Sequence, residues 1–281
     1  MSPTSPRLAL CALLALAVGC ALPNKRARIP TIRPASTLQK EGGDDVSPRV
    51  LFPPPFALAV VEDAIVRIVG PKMTCSGTLI EDDLVLTAHH CLVDRGPHGE
   101  FKKTHLSPES IRIELGGDYL PWGSVGVKSI VTPPCGESGG AGDVAILVLT
   151  RKLVGLSTMT PRLDQGPQIG ERLDPVGFGR CAMSSDGIRR KARDGGTVRA
   201  TTSETIELSA SICPGDSGGP ILSLATYEVV GVISLSAMDG DDRTSSPSVF
   251  ARIDAYRKVF GQARAIADGS SPNELPPLEC E

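Results

Sequence analysis

Five short apolar runs, rich in Val, Ile and Leu and separated by turn-forming residues, constrain the fold of this chain most. They are AIVRIVG (64–70), DLVLTA (83–88), SIRIEL (110–115), DVAILVL (143–149) and YEVVGVISL (227–235). Short apolar runs bounded by turns read as strands of a sandwich or barrel rather than as helices. The chain also holds 30 Gly and 24 Pro, a supply of turn residues that suits many short strands. The pattern predicts one all-β domain of about 200–230 residues, a normal size for that class. No internal repeat is present. The net charge of -3 gives no electrostatic footprint for nucleic acid.

The first twenty residues differ. Arg7 precedes LALCALLALAVG, an apolar run too short to span a bilayer and of the length of a signal-peptide core. LAVGC (16–20) resembles a bacterial lipobox, in which the cysteine is lipidated and becomes the mature N-terminus. Ala17 departs from the Leu usual at that place. Gly19 and Ala21 would equally serve plain cleavage after Ala21. The reading is therefore a signal peptide at 1–20, of lipoprotein type with Cys20 as the lipid site. Residues 21–55 hold Pro, Ser, Thr, Gly and charges, with little to bury, and read as a flexible spacer. A folded domain at 56–265 and a loose tail at 266–281 follow. The expected location is outside the cytoplasm, held on a membrane by lipid or else secreted or periplasmic.

Eight cysteines in an exported chain point to disulfides. Cys11 leaves with the signal peptide; with Cys20 lipidated, Cys75, Cys91, Cys135, Cys181, Cys213 and Cys280 remain. No CxxC and no histidine pair at ligand spacing supports a metal, and no cofactor is implied. The acidic loop MDGDDR (238–243) reads as solvated rather than as a calcium site.

Residues 213–220 read CPGDSGGP, a stretch that suits neither helix nor strand. Ser217 on such a turn becomes a nucleophile only with a base and an orienting carboxylate. The chain has four histidines. His98 and His105 sit in a polar stretch expected to be solvated. His89 and His90 are adjacent in LTAHHC (86–91), directly after a strand-like run, so at most one of them serves as base.

TAHHC, GDVAILVL and CPGDSGGP are similar, in this order, to three motifs of the chymotrypsin-like serine proteases, and the resemblance covers about residues 60–262. It implies two six-stranded antiparallel β-barrels with a short C-terminal helix. It also implies a serine endopeptidase acting on protein or peptide substrates through an acyl-enzyme. His90, directly before the cysteine, takes the base position; Asp143 is the buried carboxylate and Ser217 the nucleophile. The amides of Gly215 and Ser217 form the oxyanion hole. His89 stands where the family usually has a small residue. Ser234 matches a serine that hydrogen-bonds the carboxylate and begins the substrate-binding strand. Ser211, Ser236 and Ser248 take the floor and walls of the specificity pocket, which implies cleavage after small or medium uncharged residues.

The resemblance also implies a Cys75–Cys91 disulfide beside the base. Cys213 lacks its usual downstream partner, so Cys181 is expected to pair with it, leaving Cys135 with Cys280. In the family, cleavage often frees an Ile-Val-Gly-Gly N-terminus whose amine pairs with the Asp before the nucleophile, here Asp216. IVGP (68–71) lies inside a hairpin, and Arg49-Val50 is followed by Leu51 and Phe52. An internal arginine is the alternative partner, with Arg180 as candidate. The competing reading of function is a non-catalytic homologue that binds proteins in the same cleft.

Overall fold

The computed structural model describes residues 60–98, 100–116, 120–181, 188–236 and 246–279. The chain divides into units 1–52 and 53–281, and every described residue belongs to the second. The signal peptide, Cys20, the whole spacer, the 238–243 acidic loop and Cys280 lie outside the described residues.

Two antiparallel barrels make up the fold. In the first, β1 (Ile65–Val69), β2 (Thr74–Glu81) and β3 (Leu84–Thr87) follow one another as neighbours. A side hairpin of β4 (Val93–Arg95) and β5 (Phe101–His105) comes next. Then β6 (Arg112–Leu115), β7 (Gly123–Val131) and β8 (Ala145–Leu149) complete the ring. Its order is β1-β2-β3-β8-β7-β6, and pairing of β6 with β1 closes it.

In the second barrel, β9 (Arg172–Gly177) carries a two-residue extra strand, β10 (Lys191–Ala192), on one edge. β11 (Gly196–Thr197) pairs with β9, while β12 (Ala200–Thr201) pairs with β13 (Thr205–Ala210). β14 (Pro220–Ser223), β15 (Val229–Ser236) and β16 (Ser246–Arg252) bridge β9 back to β13. The single segment 196–201 thus closes the ring, pairing at its start with β9 and at its end with β13. Counting that segment once gives six strands, as the resemblance implies. A closed ring leaves no sheet edge open to other chains.

The apolar runs map onto this frame. AIVRIVG forms β1, DLVLTA β3, SIRIEL β6 and YEVVGVISL β15. DVAILVL supplies β8, where all five residues are buried. One face of β8 looks into the barrel and the other lies under α1 (Arg257–Ala267), which explains an unbroken apolar run in an antiparallel sheet. Helix α1 buries Val259, Phe260, Ala263 and Ile266, spaced as one face of a helix.

The boundary expected at 265 needs adjustment. Helix α1 runs through Ala267 with Ile266 only 4% exposed, and beyond it Leu275 and Leu278 pack against the core. Residues 266–279 are therefore part of the packed unit. Apolar side chains at the helix end and beyond it account for this.

Candidate active site

The segment after β3 is built around the Asp143 carboxylate. Residues His89–Leu92 make one 3-10 turn, all of it buried. Asp143, at 0% exposure, accepts the His90 amide N–H at 2.8 Å on Oδ1. His90 Nδ1 lies 2.7 Å from its Oδ2, and the Ser234 hydroxyl donates to the same oxygen. Burial alone would raise the Asp143 carboxyl. The hydrogen bonds from His90 and Ser234 outweigh burial and hold it below the usual carboxylate range. With Nδ1 committed to Asp143, Nε2 is the free face of the imidazole. The loop before Asp143 is tied by the Gly142 N–H, which donates to the Tyr256 hydroxyl at 2.6 Å, and that hydroxyl donates to Glu204.

The 213–220 stretch forms two successive turns. The Asp216 N–H donates to the Cys213 carbonyl at 3.0 Å and the Gly219 N–H to the Asp216 carbonyl at 2.9 Å. Gly218, at φ +81°, presses against the segment that leads to His90. A Cβ there would sit 2.1 Å from Thr87 Oγ1 and 2.4 Å from the Ser76 carbonyl, so only glycine fits. This contact seats the Ser217 loop on the His90 segment. Ser217 is half-buried, and the amides of Gly215 and Ser217 have no hydrogen-bond partner among the described residues. Ser217 Oγ and His90 Nε2 make no direct hydrogen bond; Nε2 lies 3.8 Å from Cys91 Sγ. Such bonds are commonly long in substrate-free sites and tighten when substrate binds.

Asp216 is completely buried, and its ionic partner is Arg193, not Arg180. Arg193 Nε lies 2.9 Å from Oδ2 and an NH2 group donates to Oδ1 at 3.1 Å. The amides of Gly179 and Cys213 also donate to this carboxylate, at 2.7 and 2.9 Å. Burial raises the Asp216 carboxyl above its usual range, with the Arg193 charge pulling against the rise. Arg180 is exposed and only its backbone N–H engages the loop, at the Pro214 carbonyl. The reason is register: β10 lies beside β9, so the next residue, Arg193, turns inward and is 4% exposed.

Three further groups at this site escape sequence reasoning. Glu137, in the glycine-rich loop before Asp143, brings its carboxyl to the His90–Asp143 pair; ligand atoms of His90, Glu137 and Asp143 all lie within 4.8 Å of one another. Burial, then the charge of Asp143, pushes the Glu137 carboxyl up to about 7. His105 is not a free solvated side chain: its Nε2 lies 2.7 Å from Nε2 of His89. His89 is 7% exposed, and burial followed by the His105 charge lowers its pKa, with the Asp143 charge and the Gly142 backbone pulling against the drop. Phe101, on the same hairpin, sets its ring edge-on to His90 at 5.6 Å, with the Arg95 guanidinium 4.3 Å from the Phe101 ring centre. The signal in the sequence was only a polar stretch, because all five residues of β5 are exposed.

The Cys75–Cys91 and Cys181–Cys213 disulfides are both formed. Cys135 is also disulfide-bonded. Ser211 and Ser248 are each 1% exposed, and Ser248 pairs across the sheet with Ser236. The three serines thus lie on neighbouring strands or their ends, next to the 213–220 loop.

Two antiparallel barrels, with a serine on a tight turn that packs against the segment bearing a carboxylate-held histidine, are the arrangement of a chymotrypsin-like serine protease. Residues 61–260 match the family model described as Trypsin, and the chain belongs to that family. It is a serine-type endopeptidase by descent. Among similar proteins is chymotrypsin-like elastase family member 1 of Macaca fascicularis, 28% identical over 218 residues, covering 65% of this chain and 76% of the relative. A protein named trypsin from Saccharopolyspora erythraea is 24% identical, covering 78% of this chain and 95% of its own. In fold, the chain is similar to a Glu endopeptidase structure, with TM-score 0.58 and 18% identity over 74% of this chain and 93% of the other.

Proposed function

We propose that Ser217 cleaves peptide bonds with His90 as its base and Asp143 as the carboxylate that orients it. Ser217 Oγ attacks the scissile carbonyl carbon as its proton passes to His90 Nε2. The carbonyl oxygen takes the negative charge and is held by the amides of Gly215 and Ser217. His90 then gives the proton to the departing amine, leaving an acyl group on Ser217. Water, deprotonated by His90, releases that acyl group and restores the enzyme. The observation that carries this reading is the buried Asp143, which grips His90 through both its amide and Nδ1.

The uncharged pocket residues Ser211, Ser236 and Ser248 favour cleavage after small or medium uncharged residues. A peptide-library profile of the purified protein, with Ser217→Ala as control, tests this. Cleavage after Ala, Val, Leu or similar residues is expected; a preference for Arg or Lys would contradict it.

The disulfides favour an oxidising compartment, consistent with export through the 1–20 segment and attachment by lipid on Cys20. Among the described residues no helix is long and apolar enough to cross a membrane. Mass spectrometry of the mature N-terminus tests the lipid assignment: a diacylated Cys20 is expected, and an unmodified N-terminus would contradict it.

A further inference from the structure

We propose that Ser76, on β2 of the first barrel, is the positioning residue that aims both oxyanion amides. This deepens the reading of Ser217 as nucleophile and rests on it. Ser76 is completely buried and every polar atom it has is engaged. Its N–H donates to the Ser217 carbonyl at 2.8 Å. Its hydroxyl donates to the Gly215 carbonyl at 2.8 Å and accepts the Phe178 N–H at 2.8 Å. Its carbonyl accepts from Thr87 Oγ1 at 2.8 Å. One residue therefore grips, by their carbonyls, the two residues whose N–H groups point the other way.

Peptide planarity turns this grip into aim. Each peptide plane carries the carbonyl of one residue and the N–H of the next. The Gly215 N–H belongs to the 214–215 plane and the Ser217 N–H to the 216–217 plane. Ser76 holds the two planes that alternate with these, 215–216 and 217–218. The 216–217 plane is thus pinned on both sides, and the 214–215 plane on its far side by Ser76. Gly215 sits at φ +101°, a conformation glycine reaches without strain and leaves as readily. Its 214–215 plane is held on the Pro214 side by the Arg180 N–H, and Ser76 supplies the hold on the Gly215 side. The N–H groups opposite the gripped carbonyls are occupied as well, Asp216 N–H at Cys213 and Gly218 N–H at Ile233. The two amides left over are those of the oxyanion hole.

The hydroxyl is the part that a substitution removes cleanly. In Ser76→Ala the backbone bond to Ser217 remains, while the Gly215 carbonyl and the buried Phe178 N–H lose their partner. The 214–215 amide then keeps only its hold at Pro214 and loses alignment, while the nucleophile, the base and the pocket stay in place. Loss of one oxyanion donor costs about 100- to 1000-fold in kcat, and loss of its alignment is expected to cost on the order of 10- to 100-fold.

Steady-state kinetics of wild type and Ser76→Ala on one peptide substrate test the proposal. They are paired with inhibition by a peptide aldehyde, whose adduct needs the oxyanion hole, and by the cleaved product peptide, which does not. The expected result is a kcat lowered on the order of 10-fold or more with KM within about threefold. Aldehyde affinity should fall in parallel, and product affinity should stay unchanged. An unchanged kcat with a lowered melting temperature would overturn the proposal, leaving Ser76 a packing residue. So would a parallel loss of aldehyde and product binding. If the variant is too unstable to assay at 25 °C, the same ratio is read on Ser76→Thr, which keeps the hydroxyl: retained aldehyde selectivity supports the proposal, and its loss in a folded Ser76→Thr protein contradicts it. A wild-type protein with no activity would instead fail the underlying reading of Ser217.

Discussion

At the scale of single residues, the chemistry of the site is carried by side chains whose types are fixed by contact. Gly218 leaves no room for a Cβ, Asp143 takes donors on both oxygens, and Ser234 adds a second donor to Oδ2. These needs write themselves into contiguous motifs, so the joining of His90 and Ser234 to Asp143 was legible in the sequence. Glu137 was not, because its meeting with Asp143 depends on the path of the glycine-rich loop between them. Glu137 is an exposed residue whose carboxyl is partly desolvated beside Asp143, so the thermodynamic consequence is reduced by solvent screening. The ordinary value for such a carboxyl is 4.5 and the folded value is about 7. A raised acid is favoured in its protonated form, so its stabilising contribution is full below 4.5 and is lost as pH rises through about 7. Thermal melts of wild type and Glu137→Gln across that range should diverge, the wild type losing stability toward neutral pH while the amide variant stays flatter. Parallel curves would show that Glu137 ionises as it does in the unfolded chain.

At the scale of elements, the second barrel supplies what no motif announces. The two-residue strand β10 exists to deliver Arg193 beneath Asp216, and its register against β9 fixes which arginine arrives. The sequence offers Arg180, Arg189, Arg190 and Arg193 in one neighbourhood, and nothing local distinguishes them. Only pairing across the sheet does so, which is why Arg180 was a reasonable expectation and the wrong one. The disulfide between Cys181 and Cys213 was legible, by contrast, because the family resemblance together with the lack of a nearby downstream cysteine narrowed the choice. Arg193 gives Asp216 a permanent internal cation in the place a freed N-terminal amine takes in relatives activated by cleavage. Arg49→Ala is expected to keep full peptidase activity. Arg193→Ala leaves a buried carboxylate uncompensated and should lose activity together with about 3–5 kcal/mol of stability, measured by denaturant unfolding. Loss of activity in Arg49→Ala, or an active and stable Arg193→Ala, would reverse this assignment.

At the scale of the whole molecule, the barrels meet where the chemistry is. β2 and β3 of the first barrel bring Ser76, Thr87 and the His90 turn; the second brings the Ser217 loop, and hydrogen bonds from Ser76 join them. The fold class was legible because short apolar runs between turns have few alternatives. The closure of the second ring by one segment pairing at both ends was not, since residues 196–201 carry no apolar run of their own. The central claim is that this junction activates Ser217. Fluorophosphonate labelling of the purified protein, read by peptide mass spectrometry, tests it most directly. The account predicts one adduct, on Ser217, absent in Ser217→Ala and reduced at least 100-fold in rate in His90→Ala, in keeping with the part a general base plays. A folded wild-type protein that takes no label, or one labelled as fast without His90, would contradict it and favour a protein-binding homologue.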